Sequence, residues 1–372
     1  MTAKNTTKVF DEKLFKFITD SLKNYHIDNF DEIRHGRLPK NSIVHMKQQI
    51  WNMLFPNYVS RYYIEEVLRR TVHILANYGS KLNDVYLLLA DEESKDWLVN
   101  LIAYKILGHE RVKLPTNNET YSSFRKKQSL YFNTDVFMDV TFLSGKKKIF
   151  LADLSNMGFD IKLYSGGLVH IFMTQQYNYK NLVMAESGDV VLDCGACHGD
   201  TALYFANRVG ETGKVFSFEF IPNNIVVFNE NLALNPKLQG IVELVEAPLW
   251  EKSGSDVYFQ DLGPASTVQF HEFDGHDDTM KTKSIDDFYE EKRLKEIDFI
   301  KMDIEGAEPY ALRGGENTIR KHKPKLAIAS YHSLDDFVNI PLWIDNLGLG
   351  YKLYLSHSTI HWEETVVFAK VD

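Results

Sequence analysis

The chain has 372 residues, 44% hydrophobic and 25% charged, with a formal net charge of −9, a globular composition long enough to bury a sizeable core. Excess negative charge argues against a nucleic-acid partner, and the run Lys146-Lys147-Lys148 reads as a solvated turn. No stretch approaches the roughly 18 apolar residues of a membrane span, and the first residues lack the apolar core of a signal peptide, so the expectation is a soluble, cytoplasmic protein with no membrane span.

Residues 1–110 read as a helical extension. Ile64, Val67, Leu68 and Leu75 recur at helical spacing, and Asp91 caps a helix with Glu92 and Glu93 in its first turn, Leu98, Leu101 and Ile102 inside and Gly108 at its end. Residues 111–186 break into short β-branched and aromatic pieces, among them 148–152 and 168–172, and read as a strand-rich connector. From 187 to 372 strands at 190–193, 215–220, 241–247, 297–303 and 326–331, with two more near 351–355 and 365–369, alternate with helices. That alternation predicts an α/β domain with a mostly parallel, doubly wound sheet whose ligands sit at the carboxyl ends of the strands. Asp193, Glu219, Glu246, Asp303 and His332 occupy such ends, and 255–268 reads as a hairpin over that edge.

The segment 190–201, VVLDCGACHGDT, is an apolar strand running into two spaced glycines and a helix start. Gly195 and Gly199 permit backbone angles closed to other residues, and the free amides of the following helix favour an anionic group. The candidate cofactor shell is Asp193, Gly195, Ala196, Cys197, Gly199, Asp200 and Thr201, joined by Glu219, Phe220, Glu246 and Ala247 from the next two strand ends. The order D-x-G-x-x-x-G departs from the G-x-G-x-x-G that admits a pyrophosphate, while Glu219 is placed to accept the hydroxyls of a ribose. S-adenosyl-L-methionine is therefore favoured over a nicotinamide dinucleotide. Cys194 and Cys197 form a C-x-x-C, read as a coincidence of the glycine loop and not as a redox or zinc pair.

These segments resemble the FkbM-type S-adenosylmethionine-dependent methyltransferases over about 188–369: VVLDCGACHGDTALYFA, VFSFEFIPNN with Asn231 and Asn235, VEAPLW, IDFIKMDIEGAEPYALRGG and ETVVFA. The block 301–308, KMDIEGAE, is the most specific, and LLADEESKDWLVNLIAYKILG looks more loosely like extensions found upstream in the family. Cys197-His198 stands where the family usually has asparagine and an aliphatic residue. The resemblance implies a class I, Rossmann-like methyltransferase domain with a seven-stranded sheet, acting on a hydroxyl of a sugar, a glycan or a related natural product.

For such a transfer the protein aligns the acceptor with the sulfonium methyl and removes a proton. His332, with Asp303 beside it, is the expected general base. Asp303 and Glu305 could orient His332, hold a divalent cation or cap the helix near Gly306. The reading taken is capping by Glu305 with an active-site role for Asp303, no metal site, and a divalent cation as the less favoured choice. Lys301 is expected to neutralise Asp303. Glu305, His357, Trp362 and Glu364 are the candidate residues for binding a small-molecule or glycan acceptor, and Gln176 and Tyr177 close over the aminoacyl end of the cofactor. A nicotinamide-dependent oxidoreductase and a non-catalytic cofactor-binding module are the alternatives. Neither the acceptor's identity nor the oligomeric state leaves a mark in the sequence.

Overall fold

The computed structural model describes residues 8–24, 26, 29, 59–142, 145–269 and 271–372, so the part of the helical extension expected at 30–58 lies outside the described residues. The chain divides into two compact units, one drawn from 1–119 and 353–365, the other from 120–352 and 366–372.

The first unit contains α1 (Val9–Ser21), α2 (Arg61–Leu88) and α3 (Glu92–Leu107). Helix α3 starts where its sequence says it should: the Asp91 carboxylate accepts the Ser94 N–H at 2.9 Å, and Gly108, at φ 80°, ends it. Its Leu98, Leu101 and Ile102 are buried as expected. Helix α2 is rotated from the expected stripe. Val67, Thr71 and Ile74 point inward at i, i+4 and i+7, whereas Ile64 and Leu68 are exposed.

The second unit begins with an antiparallel sheet of β1 (Phe132–Phe142), β2 (Gly145–Asp153) and β3 (Lys162–Ser165) in that order. Lys146, Lys147 and Lys148 stand exposed on β2 and not in a turn, and the Lys148 ammonium lies 3.6 Å from the centre of the Phe137 ring. The piece expected as a strand at 168–172 is instead a π-helical turn, Val169–Met173. Aromatic packing overrides its β propensity there, for Phe172 is buried edge-on against Phe159 and Tyr204.

The main sheet has seven strands in the order β12-β13-β11-β10-β4-β5-β6. They are β4 (Val190–Cys194), β5 (Lys214–Phe218), β6 (Val242–Val245), β10 (Phe299–Met302), β11 (Lys325–Ala329), β12 (Lys352–His357) and β13 (Thr365–Lys370). Strands β11, β10, β4, β5 and β6 pair in parallel, and β13 runs antiparallel to β11. Phe299 to Met302 are all buried, as in a strand covered on both faces, and the one charge among them, Lys301, is buried with the rest. The expected hairpin is a second small sheet, β8 (Thr267–Gln269), β7 (Asp256–Gln260) and β9 (Asp278–Lys281). From β4 the chain steps one way to β5 and β6 and later fills the other side with β10. The crevice of this α/β sheet therefore opens between the carboxyl ends of β4 and β10. Among the described residues no helix is long and apolar enough to cross a membrane.

Candidate active site

The turn after β4 is pressed against the end of β10, and that closeness dictates its glycines. Gly195 has φ 86°, and a Cβ there would lie 1.9 Å from the carbonyl oxygen of Asp303. Gly199, at φ 82°, would put a Cβ 2.8 Å from the ring of Phe228 on α5 (Pro222–Ala233), and it caps α4 (Asp200–Val209).

Beneath the turn lies an ion pair. Asp193 and Lys301 are both buried, 3.3 Å apart, at partnered positions of β4 and β10. The Asp193 carboxylate accepts the Thr201 hydroxyl at 3.0 and 2.9 Å and the Ser217 hydroxyl at 3.2 Å. The Lys301 ammonium donates to the Gly195 carbonyl at 2.6 Å. The close partner of Lys301 is thus Asp193, not the expected Asp303, and the pair fixes the turn from below.

Glu219, past the end of β5, is buried. One carboxylate oxygen accepts the Phe220 and Ile221 N–H groups at 2.6 and 2.8 Å, and the other accepts the Asn224 carboxamide at 3.2 Å. Burial pushes its carboxyl upward against those donors. The second oxygen retains lone pairs for a further donor. The Asn224 carbonyl oxygen is buried without a hydrogen-bond partner.

Gly195, Cys197, Glu219, Phe220, Ala247, Asp303 and Glu305, all singled out from the sequence, line one cavity of about 350 Å³. The Phe220 side is backed edge-on by Phe259 of β7, and Val257 and Val268 of the small sheet complete the apolar wall. Asp193, Ala196, Gly199, Asp200 and Thr201 are not among the lining residues; they build the turn from behind. Glu246 is exposed and also outside the lining. Burial raises both thiols, Cys194 and Cys197, and the carboxyl of Asp200, and lowers the His198 imidazole to about 4.

Asp303 links this cavity to a charged cluster. Its carboxylate accepts the hydroxyls of Tyr177 at 3.1 Å and Tyr331 at 3.2 Å. Burial raises its carboxyl against the pull of Lys301 and His332. His332 Nε2 lies 3.6 Å from Asp303 and 3.6 Å from Glu305, and its Nδ1 lies 3.4 Å from Glu308. Burial pulls this imidazole down, but the three carboxylates outweigh it and hold it at about 11. His332 therefore rests as an imidazolium at neutral pH, a state that gives protons and does not take them, contrary to the expected general-base role. The expected capping by Glu305 is not seen: α6 (Glu308–Arg313) has no side-chain cap, Glu305 is 65% exposed at φ 57°, and Glu308 accepts the Ile304 N–H, upstream of the helix, at 2.7 Å.

His357, Trp362 and Glu364 belong to the first unit. There His357 is buried, with Nδ1 2.8 Å from the Thr365 hydroxyl and its ring 5.2 Å from that of Trp97. The Lys105 ammonium sits over Trp362 at 3.8 Å, and the Glu364 carbonyl accepts the Ser358 N–H at 3.2 Å. Sequence reasoning missed Asn224, Tyr331 and the buried Glu308. The legible signals were a polar residue in the first turn after Glu219 and an acid three residues beyond Glu305.

Residues 193–353 match the family described as the methyltransferase FkbM domain. The 2-O-methyltransferase NoeI of Sinorhizobium fredii is 28% identical over 148 residues, which are 36% of this chain and 59% of that protein, so the likeness spans little more than half of the relative. The crystal structure of methyltransferase FkbM from Methylobacillus flagellatus superimposes with a TM-score of 0.53 at 15% identity, covering 98% of this chain and 93% of that one. Its fold is the class I methyltransferase fold described above. Residues 193–353 of this chain are thus similar to the methyltransferase FkbM domain.

Proposed function

We propose that the protein transfers the methyl group of S-adenosyl-L-methionine to a hydroxyl of a sugar, a glycan or a related small natural product. The observation that carries this reading is the joining, in one cavity, of the glycine turn after β4, the acid after β5 and Asp303 after β10. In this reading the aminoacyl end of the cofactor lies over 195–199, the ribose hydroxyls donate to the free side of Glu219 and to Asn224, and the adenine rests between Phe220 and Ala247. Asp303 accepts the hydrogen bond of the acceptor hydroxyl and aligns it with the methyl, a role of position as much as of charge. The 2-O-methylation in the name of the NoeI relative supports a hydroxyl acceptor, and no feature of the site favours a nicotinamide cofactor.

Two measurements test it. Calorimetric titration should show S-adenosylhomocysteine binding, and absence of binding at millimolar ligand would sink the proposal. Methyl transfer from labelled cofactor should then be sought over a panel of hydroxylated glycans and small molecules. Asp303→Asn should lower turnover by on the order of 10²-fold while leaving S-adenosylhomocysteine affinity within about threefold. Equal turnover in wild type and variant would remove Asp303 from the acceptor site.

A further inference from the structure

The cluster behind Asp303 holds more ligand capacity than its protein partners use. Suitable donor atoms of Asp303, Glu308 and His332 all lie within 4.8 Å of one another. Glu308 is fully buried; one of its oxygens accepts the Ile304 N–H, and the other makes no hydrogen bond. Neither ring nitrogen of His332 makes a hydrogen bond, although each faces a carboxylate at 3.4 to 3.6 Å. The nearby buried ammonium of Lys301 is committed to Asp193 and the Gly195 carbonyl. An unsatisfied buried carboxylate oxygen is costly, and a cation removes that cost.

We propose that Asp303, Glu308 and His332 bind one hard divalent cation of the Mg²⁺ and Mn²⁺ class beside the methyl-acceptor position. Two carboxylate oxygens and one imidazole, which releases its proton as the ion takes the proton's place, form a donor set such ions accept. Bonds of about 2.1 Å place ligands on adjacent octahedral vertices about 3.0 Å apart. With one donor atom from each residue the three lie within 4.8 Å of one another, so the side chains draw together by up to about 1.8 Å around an ion. The triad is also held in place. Tyr177 and Tyr331 fix Asp303, and the Ile304 amide fixes Glu308, the outer partners that tune a metal site. Of the triad, Asp303 lines the cavity proposed for the cofactor and so joins the ion to the acceptor side, while Glu305, which also lines that cavity, is 65% exposed.

The use of the ion rests on the methyltransferase reading; its binding does not. An acceptor hydroxyl on the ion becomes more acidic and passes its proton to water. The oxygen then forms its bond to the methyl carbon, the sulfur–methyl bond breaks, and its electron pair returns to sulfur to give neutral S-adenosylhomocysteine.

The test is Mn²⁺ titration of chelator-stripped, full-length protein, followed by the loss of the free-ion electron paramagnetic resonance signal. One bound Mn²⁺ is expected, weakened at least tenfold in both Glu308→Gln and His332→Gln, with S-adenosylhomocysteine affinity within threefold of wild type as the check on folding. No Mn²⁺ binding by wild type at millimolar ion, or binding unchanged in His332→Gln, overturns the proposal. Mn²⁺ binding without S-adenosylhomocysteine binding sinks the methyltransferase reading and leaves the cation site standing.

Discussion

Replacing Gly195 by alanine sets a methyl group 1.9 Å from the Asp303 carbonyl oxygen in a backbone held at φ 86°. The strain of that region and the clash with main chain, which cannot swing aside as a side chain does, should cost about 2 kcal/mol or more. Denaturant midpoints of the variant and wild type measure it, and equal midpoints would mean the turn is looser than described. At Glu219 the expected effect is on binding. Gln keeps an acceptor for Phe220 and Ile221 but loses the charge, so S-adenosylhomocysteine should bind about tenfold more weakly, one charge-assisted bond's worth. The thiols give a third prediction. Because burial raises both Cys194 and Cys197, neither should react appreciably with a thiol reagent at neutral pH until the protein unfolds. Fast native-state labelling of either would show an opened turn.

At the scale of the elements, the Asp193–Lys301 pair couples β4 to β10 beneath the glycine turn. Lys301→Met leaves a buried carboxylate facing only hydroxyls and should destabilise the protein by roughly 3 to 5 kcal/mol. Adding Asp193→Asn should recover part of that loss; a double mutant no better than additive would show that the two side chains act separately. Most of these elements were legible in advance. Asp91, Gly108 and the strand runs ending in Asp193, Glu219 and Asp303 carry local signals, since caps and periodicity act within a few residues. The misreadings share another cause. The fate of 168–172 is set by Phe159 and Tyr204, and the protonation of His332 by acids 24 to 29 positions away in sequence. Periodicity holds no information about such encounters. Glu308 was overlooked for the converse reason: an acid opening a helix looks like an ordinary first-turn residue until its burial is known.

For the whole molecule, a net charge of −9 should leave nucleic acid unshifted in an electrophoretic mobility assay at physiological salt. A salt-sensitive shift would reveal a basic face that the overall charge conceals. Another molecular property follows from how β3 ends its sheet. Among the described residues no further strand follows it: the Asn231 carboxamide bonds both the N–H and the C=O of Tyr164, at 2.6 and 3.0 Å, and Asn235 does the same for Lys162, at 2.9 and 2.6 Å. Asn231 of α5 and Asn235, just past its end, thus impersonate a neighbouring strand. A sheet margin left bare is a template for another chain, so these amides act as a stopper against edge-to-edge growth. Since Asn231 belongs to α5, with Asn235 just past its end, and also holds the His198 carbonyl of the glycine turn at 2.8 Å, melting that helix would expose a sticky margin and dismantle the turn in one event. Self-association and loss of cofactor binding should therefore appear together on heating.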